Sequence, residues 1–235
     1  MPTALVTGGS GDIGRATCLR LAHDGYDIAL TTFRNVESAE EVAEKVRAEG
    51  RTARVLRSHL GKSGAAEALA EECGPVDVVI SNAASGVLKP VSELDERAFD
   101  WSMGINARPL LTLVSRLRPR AAVAMSSPGS TRVLPAYAVV GASKAALEAL
   151  VRYLAVELAP ATRVNAISAG VVDTRALTHF PDRVGILEDA ERRTPAGRLV
   201  TPEDVANAVA WLVSPEAAMV TGHTLVLDGG WSLTA

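Results

Sequence analysis

The sequence has 235 residues, of which 48% are hydrophobic and 22% charged, with a formal net charge of −3. This is an ordinary composition for one large packed domain, and the scattered basic residues leave no electrostatic footprint for nucleic acid or for an anionic membrane surface. No apolar run reaches the ~20 residues of a membrane span, and no basic leader precedes the first apolar stretch, so a cytoplasmic protein is expected.

Short apolar runs at 4–6, 28–30, 53–56, 76–80, 122–125, 163–167 and 225–227 alternate with helical patterns near 12–24, 36–49, 62–73, 93–117, 138–158 and 202–213. Most of the short runs are continuous rather than alternating, as strands covered on both faces are. The rhythm predicts an α/β fold: one Rossmann-like domain over 1–235, a doubly wound seven-stranded parallel sheet with helices on both faces. Residues 174–200, with Pro181, Gly185, Pro195 and Gly197, interrupt it. A stretch of that length after a strand's carboxyl end is expected to form a substrate-covering flap. Cys18 and Cys73 fall in predicted helices without metal-ligand spacing and are expected to be reduced thiols.

The first strand runs into Thr7-Gly8-Gly9-Ser10-Gly11-Asp12-Ile13-Gly14, followed by a helix. Glycines in such a turn let the backbone approach a pyrophosphate, which then rests on the unpaired N–H groups and positive end of the helix. Gly8, Ser10, Asp12, Ile13 and Gly14 are therefore candidate dinucleotide contacts. The second strand ends Thr31-Thr32-Phe33-Arg34-Asn35, without the acid that would grip an adenosine 2′-hydroxyl. Arg34 suits a 2′-phosphate instead, which favours NADPH over NADH; a solvated loop arginine is the plain alternative.

The glycine loop resembles the Thr-Gly-x-x-x-Gly-x-Gly fingerprint of the short-chain dehydrogenase/reductase family, with Asp12 at the middle glycine position. A carboxylate there repels a pyrophosphate, so Asp12 is expected to point away or to cap the helix. Gly11 stands where many NADP-using members carry a second basic residue. By the same resemblance, Asn82 and Ala83 in Ser81-Asn82-Ala83-Ala84 support the sheet and the adenosine ribose, His59 and Leu60 neighbour the adenine, and Gly170, Val172 and Thr174 in Ala169-Gly170-Val171-Val172-Asp173-Thr174 lie beside the nicotinamide. The likeness spans nearly the whole chain, including Asn82-Ala83-Ala84-Ser85-Gly86-Val87-Leu88, Thr194-Pro195-Ala196-Gly197-Arg198 and Asp228-Gly229-Gly230.

Family members pair a tyrosine, which polarises or protonates the substrate oxygen, with a lysine one helical turn later that lowers the tyrosine pKa and holds the nicotinamide ribose. Lys144, in Gly141-Ala142-Ser143-Lys144-Ala145-Ala146-Leu147, matches that lysine, but Val140 stands four residues before it. Tyr137 lies seven residues before Lys144, two turns away and nearly on the same face, which displaces its anchor by ~4–5 Å along the axis. A donor so displaced suits conjugate reduction, where hydride reaches a β-carbon and charge develops on a thioester oxygen two carbons away. Tyr-x6-Lys resembles the signature of the FabL-type enoyl-acyl-carrier-protein reductases within the family. Ser127 matches the family's catalytic serine and Asn106 its relay asparagine, with strand-end capping and a helix kink as their structural alternatives. Ser85, Tyr137 and the apolar flap residues Leu177 and Phe180 are expected at the substrate.

The leading expectation is thus an NADPH-dependent enoyl-thioester reductase acting on a small-molecule or carrier-protein-bound acyl group. A ketoreductase of β-ketoacyl or polyketide carbonyls and a non-catalytic NADP(H)-binding subunit are the alternatives. The resemblance also implies a homotetramer. Leu147, Leu150, Val151 and Leu154 of the long helix would serve either its interface or the monomer core.

Overall fold

A computed structural model describes residues 1–179 and 182–234. Seven strands form one parallel sheet: β1 (Thr3–Val6), β2 (Asp27–Thr32), β3 (Ala53–Arg57), β4 (Val78–Ser81), β5 (Ala121–Met125), β6 (Arg163–Ala169) and β7 (Thr224–Leu227). Their order is β3-β2-β1-β4-β5-β6-β7. The chain leaves β1 toward β2 on one side and later returns to place β4 on the other, so a crevice opens above their carboxyl ends. Val6 is in register with both Leu30 and Ile80, which brings the strand ends at Thr7, Thr31 and Ser81 into one row.

Strand residues alternate between two apolar layers. Ala4, Val6, Val78 and Ile80 pack with α1 (Asp12–His23), α2 (Val36–Ala48) and α8 (Pro202–Val213), through Leu21, Val42, Val209 and Leu212. Leu5, Val79 and Ala122 face α3 (Ala65–Cys73), α5 (Arg108–Leu117) and α6 (Ala138–Glu157), through Leu69, Leu113, Leu147 and Val151. Each such leucine contributes about 1.5–3 kcal/mol by leaving water. Cys18 and Cys73 are free and buried in opposite layers, and burial pushes both thiols up from their ordinary range.

Three boundaries differ from the expected helices. The pattern over 93–117 is two helices, α4 (Glu96–Asn106) and α5, because Pro109 cannot donate to the turn before it. Asp95 starts α4 by accepting from the Ala98 N–H at 2.8 Å. α3 begins at Ala65 rather than near 62, where Gly64 takes the left-handed conformation at φ 77°. The 174–200 stretch holds a short turn of 3₁₀ helix at Arg175–His179 and then α7 (Arg183–Arg193), capped by Asp182. A parallel bridge between Val172 and Val200 ties its two ends together. Leu147, Val151 and Leu154 lie in the monomer core rather than on an interface, whereas Tyr153 and Val156 on the same helix are exposed. Among the described residues no helix is long and apolar enough to cross a membrane.

Candidate active site

The crevice is a cavity of about 740 Å³ running from the glycine loop to α6. At its floor the loop is stitched to the sheet. The Thr7 hydroxyl accepts from the Asn82 and Ala83 backbone N–H groups, both at 2.9 Å, while Asn82 Nδ2 donates to the Thr7 and Gly8 carbonyls at 2.9 and 3.2 Å. Thr31 Oγ1 accepts from the Gly8 N–H at 3.1 Å, and the Ser10 and Thr32 hydroxyls pair at 3.1 Å. Gly8 has φ 66°, and a Cβ on Gly14 would stand 2.2 Å from the Gly8 oxygen. Backbone this close to the start of α1 leaves no room for a side chain there and presents N–H groups to the crevice, as a pyrophosphate requires.

Asp12 is the first residue of α1, with Gly11 at the N-cap, so it does not cap the helix, and it lines the cavity rather than pointing away from it. Its carboxylate accepts from the Arg175 backbone N–H at 2.8 Å and from Arg175 Nε at 3.3 Å, and Arg175 Nη2 donates to the Ser10 carbonyl at 2.7 Å.

At the far end of the same cavity Arg34 lies 5.4 Å over the Phe33 ring. The Phe33 and His59 rings lie with centroids 4.1 Å apart, tilted at 57°, and Trp101 meets His59 edge-on at 5.4 Å. His59 Nδ1 is buried and has no hydrogen-bond partner among the described residues. An aromatic pocket with an orphaned ring nitrogen and an arginine at its rim fits the adenosine end of a nicotinamide dinucleotide. These features and the glycine cradle together accommodate a nicotinamide adenine dinucleotide.

Tyr137 is the N-cap of α6, and its carbonyl accepts from the Gly141 N–H at 2.7 Å to begin the helix. Tyr137, Ser127 and Lys144 all line the cavity. Burial pushes the Tyr137 hydroxyl up from its ordinary range, while its hydrogen bond with Ser127 pulls the other way. Ser127 also caps the following turn, accepting from the Gly129 N–H at 3.2 Å, which is its structural alternative. Lys144 is buried, donates to the Met125 carbonyl at 2.7 Å, and is brought down to about 8 by desolvation. Val140, one turn before Lys144, is buried against Gly86, where a Cβ would sit 2.1 Å from Val140 Cγ2.

Together these elements make a dinucleotide crevice at a sheet switch point with a tyrosine–lysine pair at one end. The family profile described as "Enoyl-(Acyl carrier protein) reductase" matches residues 9–232. The chain belongs to the short-chain dehydrogenase/reductase family. It is 34% identical to a 1-cyclohexenylcarbonyl-CoA reductase of Streptomyces collinus over 99% of this chain and 87% of that protein. An L-xylulose reductase of Mesocricetus auratus is 32% identical, with 98% of this chain and 96% of that one covered. Among solved structures, a short-chain dehydrogenase of Burkholderia cenocepacia in complex with NADP superposes with a TM-score of 0.89 at 30% identity, covering 98% of each chain. A 7α-hydroxysteroid dehydrogenase complexed with NADH gives 0.91 at 26% identity, covering 97% of this chain and 93% of that one.

Within this short-chain dehydrogenase/reductase, the cavity lining gathers Gly8, Ser10, Asp12, Ile13, Gly14, Arg34, His59, Leu60, Asn82, Ala83, Ser85, Ser127, Tyr137, Lys144 and Thr174 of the expected residues. Asn106, Gly170, Val172 and Leu177 lie outside that lining, and Phe180 lies outside the described residues. Asn106 is a buried clamp: its Oδ1 accepts from the Ser85 N–H at 3.0 Å and its Nδ2 donates to the Ser143 hydroxyl at 2.8 Å. Gly170 packs on Asp228, and Val172 belongs to the core. Sequence reasoning missed Trp101, Phe33 and Arg175. Phe33 had a signal, since it directly precedes Arg34 at a strand end. Trp101 and Arg175 reach the cavity from elements remote in sequence. A second cavity of about 360 Å³ shares Tyr137 with the first and is walled by Pro90, Val91, Val133, Leu134 and Pro135.

Proposed function

We propose that this chain uses NADPH to reduce the 2,3 double bond of an enoyl thioester. The observation that carries the reading is Tyr137 at the N-cap of α6, two turns before Lys144, while Val140 fills the intervening turn without a proton to give. Bound NADPH supplies the hydride. Tyr137 donates a hydrogen bond to the thioester oxygen as negative charge develops there, and its anchor beyond the usual turn suits an oxygen two carbons from the reduced centre. Ser127 fixes the Tyr137 hydroxyl, and Lys144 supplies positive charge and a donor from beneath. The mostly apolar second cavity, which shares Tyr137 with the first, suits an acyl chain. The 1-cyclohexenylcarbonyl-CoA reductase relative is named for an α,β-unsaturated thioester. For the cofactor, Arg34 over Phe33 favours the 2′-phosphate, and solved neighbours include complexes with NADP and NADPH as well as one with NADH. Exposed Tyr153 and Val156 on α6 suit the homotetramer that the family resemblance implies.

One observation favours a second reading. The Ser127–Tyr137 hydrogen bond is also a pairing able to polarise a ketone, so reduction of a β-ketoacyl carbonyl is the competitor. Mixing purified protein and NADPH with crotonyl or acetoacetyl thioester, and following loss of NADPH absorbance, separates the two. Turnover of the crotonyl thioester is expected. Oxidation with the ketone alone sinks the enoyl reading, and NADPH binding without turnover of either points to a non-catalytic binding subunit.

A further inference from the structure

The middle glycine position of the phosphate loop holds a carboxylate, at the helix end where a dinucleotide's pyrophosphate has to rest. Two negative groups competing for one helix N-terminus should weaken cofactor binding, because the partial positive charge there is only about half a unit. The structure contains a specific answer to that conflict. Arg175, on the segment following β6, takes both Asp12 oxygens through its backbone N–H and Nε, and reaches past them to the Ser10 carbonyl through Nη2. Its guanidinium is thereby fixed over the glycine loop by contacts to two loop residues, 163 and 165 positions away in sequence.

The pair is not sealed. The Arg175 and Asp12 side chains keep 59% and 30% of their exposure, and both residues line the dinucleotide cavity next to Thr174. A guanidinium has five N–H donors, and the bonds to Asp12 and Ser10 use Nε and one N–H on Nη2. The others remain to meet phosphate oxygens in the forked geometry that suits arginine.

We infer that Arg175 is a pyrophosphate-binding residue and that Asp12 is its positioning residue, so that an ion pair takes over the anion-attracting role of the loop glycine. The inference rests on the family's dinucleotide binding and is independent of which substrate is reduced. Asp12 neutralises part of the arginine's charge but holds it in place. Losing the arginine then costs more than losing both, because Asp12 is left facing the phosphates alone.

Dissociation constants for NADPH, measured by titrating ligand fluorescence, test this in four proteins: wild type, Arg175→Ala, Asp12→Gly and the double variant. Arg175→Ala is expected to weaken NADPH by about tenfold, and adding Asp12→Gly to recover most of that loss, a non-additivity that a mere brace does not give. Adenosine 2′-monophosphate, which lacks the pyrophosphate, should bind wild type and Arg175→Ala alike, whereas Arg34→Asp should weaken it. Thermal melting of each variant reports folding separately. An Arg175→Ala constant within about twofold of wild type, or a double variant as weak as the single, overturns the inference. A folded wild-type protein that binds neither NADPH nor NADH overturns the cofactor reading itself, and the inference with it.

Discussion

The two ends of the crevice are built in different ways. At the cofactor end, side chains are spent on backbone: Thr7, Thr31 and Asn82 each bond to main-chain groups of the glycine loop or of the strand beside it. At the end proposed for substrate, where the second cavity adjoins at Tyr137, the walls are loops. Val91, Leu134 and Pro135 come from segments between β4 and α4 and between β5 and α6, and the proposed proton donor, Tyr137, is a helix cap. A backbone cradle tolerates almost no change, since its shape is its function. A loop-built pocket can change its contents while the helix end beneath keeps its proton donor in place.

Breaking the cofactor end should give the largest effect. Gly14→Ala places a Cβ 2.2 Å from the Gly8 oxygen and 2.9 Å from Asn82 Nδ2, contacts that only backbone displacement relieves. NADPH affinity is expected to fall by about 100-fold, while the sheet melts cooperatively as before. Calorimetric titration and a thermal melt check both halves. Retained affinity would show that the cradle is not rigid and remove the contrast between the two ends.

The substrate end should answer in rate rather than affinity. Tyr137→Phe keeps the ring that packs on Gly129 while removing the hydroxyl that hydrogen-bonds with Ser127. Turnover is expected to drop by roughly 10- to 100-fold with the NADPH dissociation constant nearly unchanged. Steady-state kinetics beside a binding titration decide the matter, and wild-type rates would remove Tyr137 from the chemistry.

The same contrast explains what could be read from the sequence. All seven strands, the glycine loop and Lys144 were legible because each is signalled locally, by a continuous apolar run or a fixed spacing. So, in retrospect, was the break in the 93–117 helix, since Pro109 marks it, and so was α7, whose cap Asp182 and terminal Arg192 and Arg193 are ordinary helix signals. Asn106 matches a relay residue in sequence, yet both ends of its amide are bound to Ser85 and Ser143. Neither that clamp nor the Asp12–Arg175 pair has a local signature, because a contact between residues 163 positions apart exists only once the sheet has formed. The walls of the second cavity were illegible for the same reason: Val91 and Leu134 read as loop residues until the fold brings them to one cavity with Tyr137.

Lys144 belongs to both ends, and its smaller effect tests whether they are coupled. Desolvation brings it down from 10.5 to about 8, so it is protonated at neutral pH and loses its charge as pH rises through about 8. Two readouts should then move in opposite directions. NADPH affinity, to which the charged amine contributes, is expected to weaken about three- to fivefold between about pH 7 and pH 9, measured by titration at each pH. Folding stability has the other sign. Between about 8 and 10.5 the unfolded chain binds more protons at this residue than the folded one, so the cost of burying the charge falls as pH rises. Wild type should therefore gain stability relative to Lys144→Met across that window, in denaturant melts of the cofactor-free protein. Linkage requires that a cofactor which prefers the charged amine also raises its pKa, so NADPH binding near pH 8 should take up protons from the buffer. Titrations in buffers of different ionisation enthalpy measure that uptake directly, and a pH-independent affinity with no proton uptake would confine Lys144 to holding the Met125 carbonyl at the end of β5.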